Sequence, residues 1–471
     1  MRLYPLRVPD LCVIGAAAVA SVLAHGQAMA QGRTLQDALA AAYSNNPTLQ
    51  TSRAQLRATD EGVPQALSGW RPTVVVAGTG GYGFGTLDQD TLARTTSARI
   101  NRPIGTLLPT ITQPIYRGGA TRAGTNQADN RVFAARGRLI ATEQQVFTDT
   151  INAYVNVIQT QQLLQLNVNN EQVLARQLQA TNDRFRVGEI TRTDVAQAEA
   201  ALASARATRQ TSEGNLQTAR SVYRRFVGEI PDQLIEPQPL KLPIKNQAEA
   251  VQLASQNNPS VISTLFDAAA ARDAIDLAFS QLMPQVSVQT SGGYTNGQQV
   301  VGQRTLSAQA VLSVSVPIYQ GGAESSRVRQ ARQTEQQSRK VVEDTRRQAI
   351  QGAAQAWETL AAARATIEST RSAIRANQIA LEGVQREAIV GSRTTLDVLN
   401  AEQALLNSRV TLVQNLANLV TASYSVAGAI GRLTARDLNL NVPLYDETAY
   451  YNAVRQRLFG TGDYAVNQPG R

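Results

Sequence analysis

Between Leu306 and Ile318 apolar and polar residues alternate. Leu306, Ala308, Ala310, Leu312, Val314, Val316 and Ile318 fall on one side, and Ser307, Gln309, Ser313 and Ser315 on the other. Val286, Val288 and Thr290 alternate with Ser287 and Gln289 in the same way. A period of two predicts strands with one apolar and one polar face. The matching strands upstream are expected from about Thr73 to Phe84 and from about Ala98 to Ile115, so two strand hairpins are predicted, at about 72–116 and about 284–318. After each hairpin the period changes. From Gly119 to about Arg186, and from Gly322 to about Ile389, there is no proline. Apolar residues such as Val146, Ala153, Val157, Leu164 and Val168 recur at spacings of three, four and seven. Each stretch predicts about 67 residues of helix, about 100 Å at 1.5 Å per residue. Such a length needs coiled-coil packing along a narrow seam.

Each long helix is expected to stop at Val187-Gly188 or Val390-Gly391, where glycine can take the left-handed conformation. The chain then re-enters helix, with Thr193 and Thr395 assigned as N-terminal caps. Asp194 and Asp397 fall in the first turn, where the helix dipole favours an acid, and we read them as caps in preference to an acid pair. The return helices end near Val227-Gly228 and Ile430-Gly431. Short helices are expected at Thr34–Tyr43 and Thr48–Leu67, separated by Asn45-Asn46-Pro47.

This order is written twice. Asn45-Asn46-Pro47 returns as Asn257-Asn258-Pro259, and Gly80-Gly81-Tyr82 as Gly292-Gly293-Tyr294. Pro114-Ile115-Tyr116-Arg117-Gly118-Gly119 returns as Pro317-Ile318-Tyr319-Gln320-Gly321-Gly322. The offset is 212 residues in the first two pairs and 203 in the third, so nine residues are missing between the second copies of Tyr82 and Pro114. We expect a first structural repeat at 31–230, a Pro-rich linker at 231–246, a second repeat at 247–435 and a C-terminal segment at 436–471. Linker and tail are expected to wrap the outside of the bundle at one level, with the last ten residues loose. Pro114, Gly118, Gly119, Pro317, Gly321 and Gly322 mark the corners from strand to helix. No lysine follows these glycine pairs to make a phosphate loop.

Composition narrows the function. Arg2 and Arg7, the apolar run Leu11–Ala24 and Ala28-Met29-Ala30 form a secretory signal at 1–30. The single cysteine, Cys12, and the single histidine, His25, lie inside it. The processed chain then offers no disulfide, thiolate metal site or imidazole relay, so neither an enzyme nor a cofactor is expected. The formal charge of +9 comes from arginines scattered among acids and amides, unlike the concentrated basic face that nucleic acid requires. An amphipathic strand can pack on a soluble core or face lipid as part of a closed barrel. Four strands are too few to close a pore, whereas three chains would supply twelve. A soluble periplasmic coiled-coil adaptor or structural rod remains the alternative.

The doubled Asn-Asn-Pro, Pro-Ile-Tyr-x-Gly-Gly and Val-Gly tips, with Ala198-Glu199 and Ala401-Glu402 behind them, resemble the TolC family of outer-membrane channel proteins. The likeness covers nearly all of the chain after residue 30. It implies a mainly α fold with a β-barrel portion. In a homotrimer, a twelve-stranded barrel in outer-membrane lipid would be continuous with a long antiparallel helical barrel in the periplasm. It further implies a passive exit duct for type I protein secretion or multidrug efflux, with a periplasmic adaptor and an inner-membrane ABC or RND transporter as partners. By the same resemblance, Val187, Gly188, Thr193, Asp194, Val390, Gly391, Thr395 and Asp397 form tips that dock the adaptor. Glu382, with Glu387 nearby, is the candidate for an acidic ring at the periplasmic entrance. The family's tyrosine before the tip is absent, since Phe185 and Ala388 stand there.

Overall fold

The computed structural model describes residues 33–91, 94–231, 233–296 and 304–464. The expected secretory segment and the last residues of the tail, 465–471, lie outside the described residues.

The first half of the chain runs α1 (Leu35–Asn45), α2 (Pro47–Asp60), α3 (Gly62–Leu67), β1 (Thr73–Thr91), β2 (Arg94–Arg117), α4 (Ala120–Arg186) and α5 (Arg192–Val227). The second half runs α6 (Gln247–Asn257), α7 (Pro259–Phe279), β3 (Gln285–Asn296), β4 (Arg304–Ser315), α8 (Ala323–Ile389) and α9 (Thr395–Ala429), and α10 (Ala449–Val454) follows. Both long helices are 67 residues. The repeated Asn-Asn-Pro starts a helix as well as ending one. The side-chain oxygens of Asn46 and Asn258 each accept a backbone N–H two residues on, both at 2.9 Å, and Pro47 and Pro259 open α2 and α7. The single helix expected over Thr48–Leu67 is broken at Glu61, because Pro64 has no N–H for the carbonyl of Asp60.

The four strands form one antiparallel sheet in the order β1-β2-β3-β4. The first hairpin is longer than its period suggested. Pairing of β1 with β2 continues to Thr91↔Arg94, while β2 meets β3 only from Gly105 onward. Conversely, β4 ends at Ser315, not at Ile318, since Pro317 cannot donate to a ladder. Its counterpart Pro114 stays inside β2, next to a register shift between Pro114 and Tyr116. A bulge there absorbs the missing donor.

By compactness the chain divides into two units, and each takes residues from both sequence repeats. One comprises Met1–Ala41, Thr150–Gln238 and Ala373–Ala417. There Leu174, Leu202 and Ala205 bury together, with Leu178, Ala201 and Leu399 against them. Arg33 forms a parallel bridge with Leu234, and the Tyr154 hydroxyl lies 2.8 Å and 2.6 Å from the carbonyls of Arg33 and Ile235. The other unit comprises Ala42–Asp149, Pro239–Ser372 and Asn418–Arg471 and contains the sheet. Its buried apolar clusters include Ile244, Ala250, Leu360, Ala422, Val426 and Ile430, and separately Val63, Ala128 and Val132. Arg53 is fully buried in it, between the rings of Tyr43 and Tyr445 at 4.5 Å and 5.2 Å. Among the described residues no helix is long and apolar enough to cross a membrane.

Candidate functional site

Directly paired residues of an antiparallel sheet share a face, so the register sorts the described side chains into two sets. One face carries Val74, Val76, Tyr82 and Phe84 of β1, paired with Ile111, Pro109, Pro103 and Asn101 of β2. It continues through Leu107↔Tyr294, Tyr294↔Leu306, Val288↔Leu312 and Val286↔Val314. The opposite face carries Thr73, Thr79, Thr106, Thr110 and Thr112, then Gln289, Ser291, Thr295, Ser307, Gln309 and Ser313, interrupted by Val75, Ile104, Leu108 and Val311. The Thr79 and Thr106 hydroxyls bond across the strands at 2.5 Å. The apolar face is uncovered: Phe84 and Leu306 are each 85% exposed. Among the described residues, the outer edges of β1 and β4 have no ladder partner. A sheet so built needs an apolar medium on one side and further strands at both edges.

The strand-to-helix corners use two consecutive left-handed glycines, Gly118 and Gly119 (φ 62° and 89°) and Gly321 and Gly322 (φ 65° and 81°). At Gly118 a side chain would also overlap the Ser280 carbonyl and the Met283 side chain, whereas Gly321 faces open space. Beyond Gly322, α8 buries only Val328, Glu335 and Val342 as far as residue 347. That is one stripe at a seven-residue spacing, with the rest of the circumference bare. In α4, Val146, Ala153 and Val157 of the expected seam are buried and Leu164 and Val168 half-buried, and Asn167 is also buried, donating to Ser212 at 2.7 Å.

Both tips end their long helix in the same way. Gly188 and Gly391 have φ of 79° and 83°. The next residues, Glu189 and Ser392, donate back to the carbonyls of Arg184 and Glu387, each at 3.0 Å, as in a Schellman ending. Val187, Ile389 and Val390 are more than three-quarters exposed. The assigned caps require correction. Thr191, not Thr193, caps α5: its hydroxyl lies 2.6 Å from Asp194 Oδ2 and accepts the Asp194 N–H at 3.3 Å. Thr394, not Thr395, makes the same pair of bonds with Asp397, at 2.9 Å and 3.2 Å. A capping box joins residues three apart, which residues one or two before the acid cannot do. The Thr191 hydroxyl and N–H hold Asp194 below the usual carboxylate range, and the Thr394 N–H and hydroxyl do so for Asp397. Thr395 is buried instead of capping.

Glu382 is exposed on α8. Glu387 is engaged locally, with Arg393 Nε at 2.8 Å from its carboxylate. The first tip has a corresponding ion pair, Arg184 with Glu189 at 2.6 Å. Sequence reading missed both pairs, the buried Arg53 and Asp60, and the half-buried Glu143. The spacing Thr-x-x-Asp would have revealed the caps, but nothing local marks a buried charge. Among the described residues no group of three His, Cys, Asp or Glu could hold a metal ion.

Known proteins share this arrangement. The sequence profile of the outer membrane efflux protein family matches residues 38–229 and 250–432. The chain is 35% identical over 466 residues to the outer membrane efflux protein BepC of Brucella suis, covering 98% of each sequence. It is 26% identical over 435 residues to the outer membrane protein TolC of Escherichia coli, covering 87% of this chain and 84% of that protein. The crystal structure of the outer membrane protein VceC from Vibrio cholerae superposes with a TM-score of 0.74 at 21% identity, over 84% of this chain and 96% of that one. The chain therefore belongs to the outer membrane efflux protein family, the TolC-like channels of the bacterial outer membrane.

Proposed function

We propose that three copies of this chain close a twelve-stranded barrel in the outer membrane and a helical tunnel beneath it. This duct would pass substrates delivered by an inner-membrane transporter through a periplasmic adaptor. The observation that carries the reading is the sheet: an uncovered apolar face, a Thr/Ser/Gln face and two edges without partners among the described residues. In hydrocarbon every backbone donor and acceptor must be paired, so such a sheet is stable there only as part of a closed ring. The single buried stripe of α8 supports assembly too, because a helix with most of its surface bare must meet neighbouring chains or a wet lumen.

The tips around Gly188 and Gly391 dock the adaptor, through the exposed Val187, Ile389 and Val390 beside turns fixed by capping boxes. Glu382 from three copies forms an acidic ring at the entrance. The duct itself does no chemistry, and its cargo, secreted protein or drug, is set by the transporter.

The test is the mass of the detergent-purified particle together with its conductance in a planar bilayer. Three copies and steady single-channel steps are expected; a water-soluble monomer without conductance would overturn the reading. Gly391→Pro tests docking separately. Proline cannot take a φ of 83°, so export should be lost while assembled particles remain in the membrane.

A further inference from the structure

The segment from Ala435 to Arg457 lies across α2 and α4 and is held there by polar groups at both ends. The Ala435 N–H donates to Glu143 at 2.6 Å, and the Tyr445 N–H to the Tyr43 hydroxyl at 3.0 Å. The Tyr450 hydroxyl donates to Glu61 at 2.9 Å and the Tyr451 hydroxyl to Asp129 at 2.7 Å. Arg71 donates to the Arg457 carbonyl at 2.7 Å. Two carboxyl groups here, Asp60 and Glu143, matter because their negative charge is only partly compensated. Asp60, at the end of α2, is 1% exposed, and neither of its oxygens has a hydrogen-bond partner. Glu143, on α4, has the Ala435 N–H and borders a cavity of about 690 Å³, together with Tyr43, Arg136, Asp437, Tyr445 and Glu447.

We propose that residues 435–457 form a proton-linked strap, clamped on α2 and α4 more tightly when Asp60 and Glu143 are protonated. Asp60 is faced by Arg57 of α2, by Glu61 just after it, by Arg136 of α4 and by Glu447 of the strap. Glu143 is faced by Arg53 of α2 and by Asp437 and Glu447 of the strap. Glu447 thus repels both acids. The arginines offset only part of this: Arg136 and Arg57 draw Asp60 down and Arg53 draws Glu143 down, while Arg53 also packs between two tyrosine rings and Arg136 lies over Phe133 and Tyr451. Burial is the largest influence on each acid and pushes both up to about 7, against 3.8 for an ordinary Asp and 4.5 for an ordinary Glu.

The sign follows from linkage. The clamped strap binds protons that the released strap does not, so clamping strengthens as pH falls below about 7 towards the ordinary carboxylate range and is weakest above about 7. Each carboxyl contributes up to about tenfold in the clamping equilibrium per pH unit across that window. The device is independent of the pore reading, because it needs only the contacts within one chain.

Hydrogen–deuterium exchange of the full-length, detergent-solubilised protein tests it. Protection of strap amides, corrected for the intrinsic exchange rate, should rise at least about tenfold between pH 7.5 and 5.5, while peptides of α6 stay constant. Asp60→Asn combined with Glu143→Gln should flatten that profile. Glu447→Gln should move it to lower pH, since it removes the charge that raises both groups. A flat or inverted wild-type profile overturns the proposal, as does a double variant that keeps the slope. If the double variant does not assemble, the wild-type and Glu447→Gln profiles decide.

Discussion

Arg184 and Glu387 stand 203 residues apart, at matching positions on the two long helices, and carry opposite charges, yet each is tied to the turn of its own tip. Arg184 binds Glu189 at 2.6 Å, and Glu387 binds Arg393 at 2.8 Å. The duplicated tips therefore both carry an ion pair across the turn, with reversed polarity and with the turn partner five residues on in the first tip and six in the second. Both pairs are partly to half exposed, so they orient the turn more than they stabilise the fold.

That reversal can be tested by swapping charges. Glu387→Arg should reduce export by placing two cations in one turn, and adding Arg393→Glu should restore most of it. Thermal stability should barely move in either variant. Export measured as resistance to a transported compound checks this, and a double variant no better than the single one would exclude a role for the pair.

The corrected caps make a sharper prediction. Thr191→Ala and Thr394→Ala should each loosen the first turn of their helix by about 1 kcal/mol, read by local amide exchange, while Thr193→Ala should do nothing comparable. Asp194 and Asp397 titrate below their ordinary value, so their support is present above about pH 4 and lost as pH falls below it. Fraying of both first turns on acidification is the expected outcome.

Gly118 and Gly321 separate backbone strain from steric overlap. Both have φ near 60°, which costs an ordinary residue about 1–2 kcal/mol. Only at Gly118 does a side chain also overlap the Ser280 carbonyl and Met283. Gly118→Ala should therefore lower the thermal midpoint of the purified particle clearly more than Gly321→Ala. Equal effects would show that the corner relaxes.

Glu382→Gln examines the entrance. If three Glu382 carboxylates surround the pore, neutralising them should reduce cation preference and block by divalent cations in single-channel recordings. Unchanged selectivity would remove Glu382 from the entrance.

Much of the fold was legible in the residues because it follows from local periodicity. The long helices end at Arg186 and Ile389, where the pattern breaks at Val-Gly, and both run 67 residues. The strands were readable where Ser and Gln alternate with Leu and Val. They were under-read in β1 and β2, where glycines and prolines blur the period but pairing carries on to Thr91↔Arg94. The tip sites were partly legible. Gly188 and Gly391 announce a left-handed turn, but the capping threonine depends on which residue first takes helical geometry, and composition alone leaves neighbouring threonines equivalent.

Sequence by itself determined the element types, their order and the doubling, because each depends on hydrophobic period, glycine and proline within a few residues. Tertiary structure decided which side of the sheet is continuous across four strands, since a face exists only once register is fixed between segments as distant as Leu107 and Tyr294. It also decided that Asp60 and Glu143 sit beneath a strap some 300 or more residues later in the chain. A carboxyl group's proton affinity depends on the water and charge around it, and that surrounding is assembled only when the distant segment closes over it.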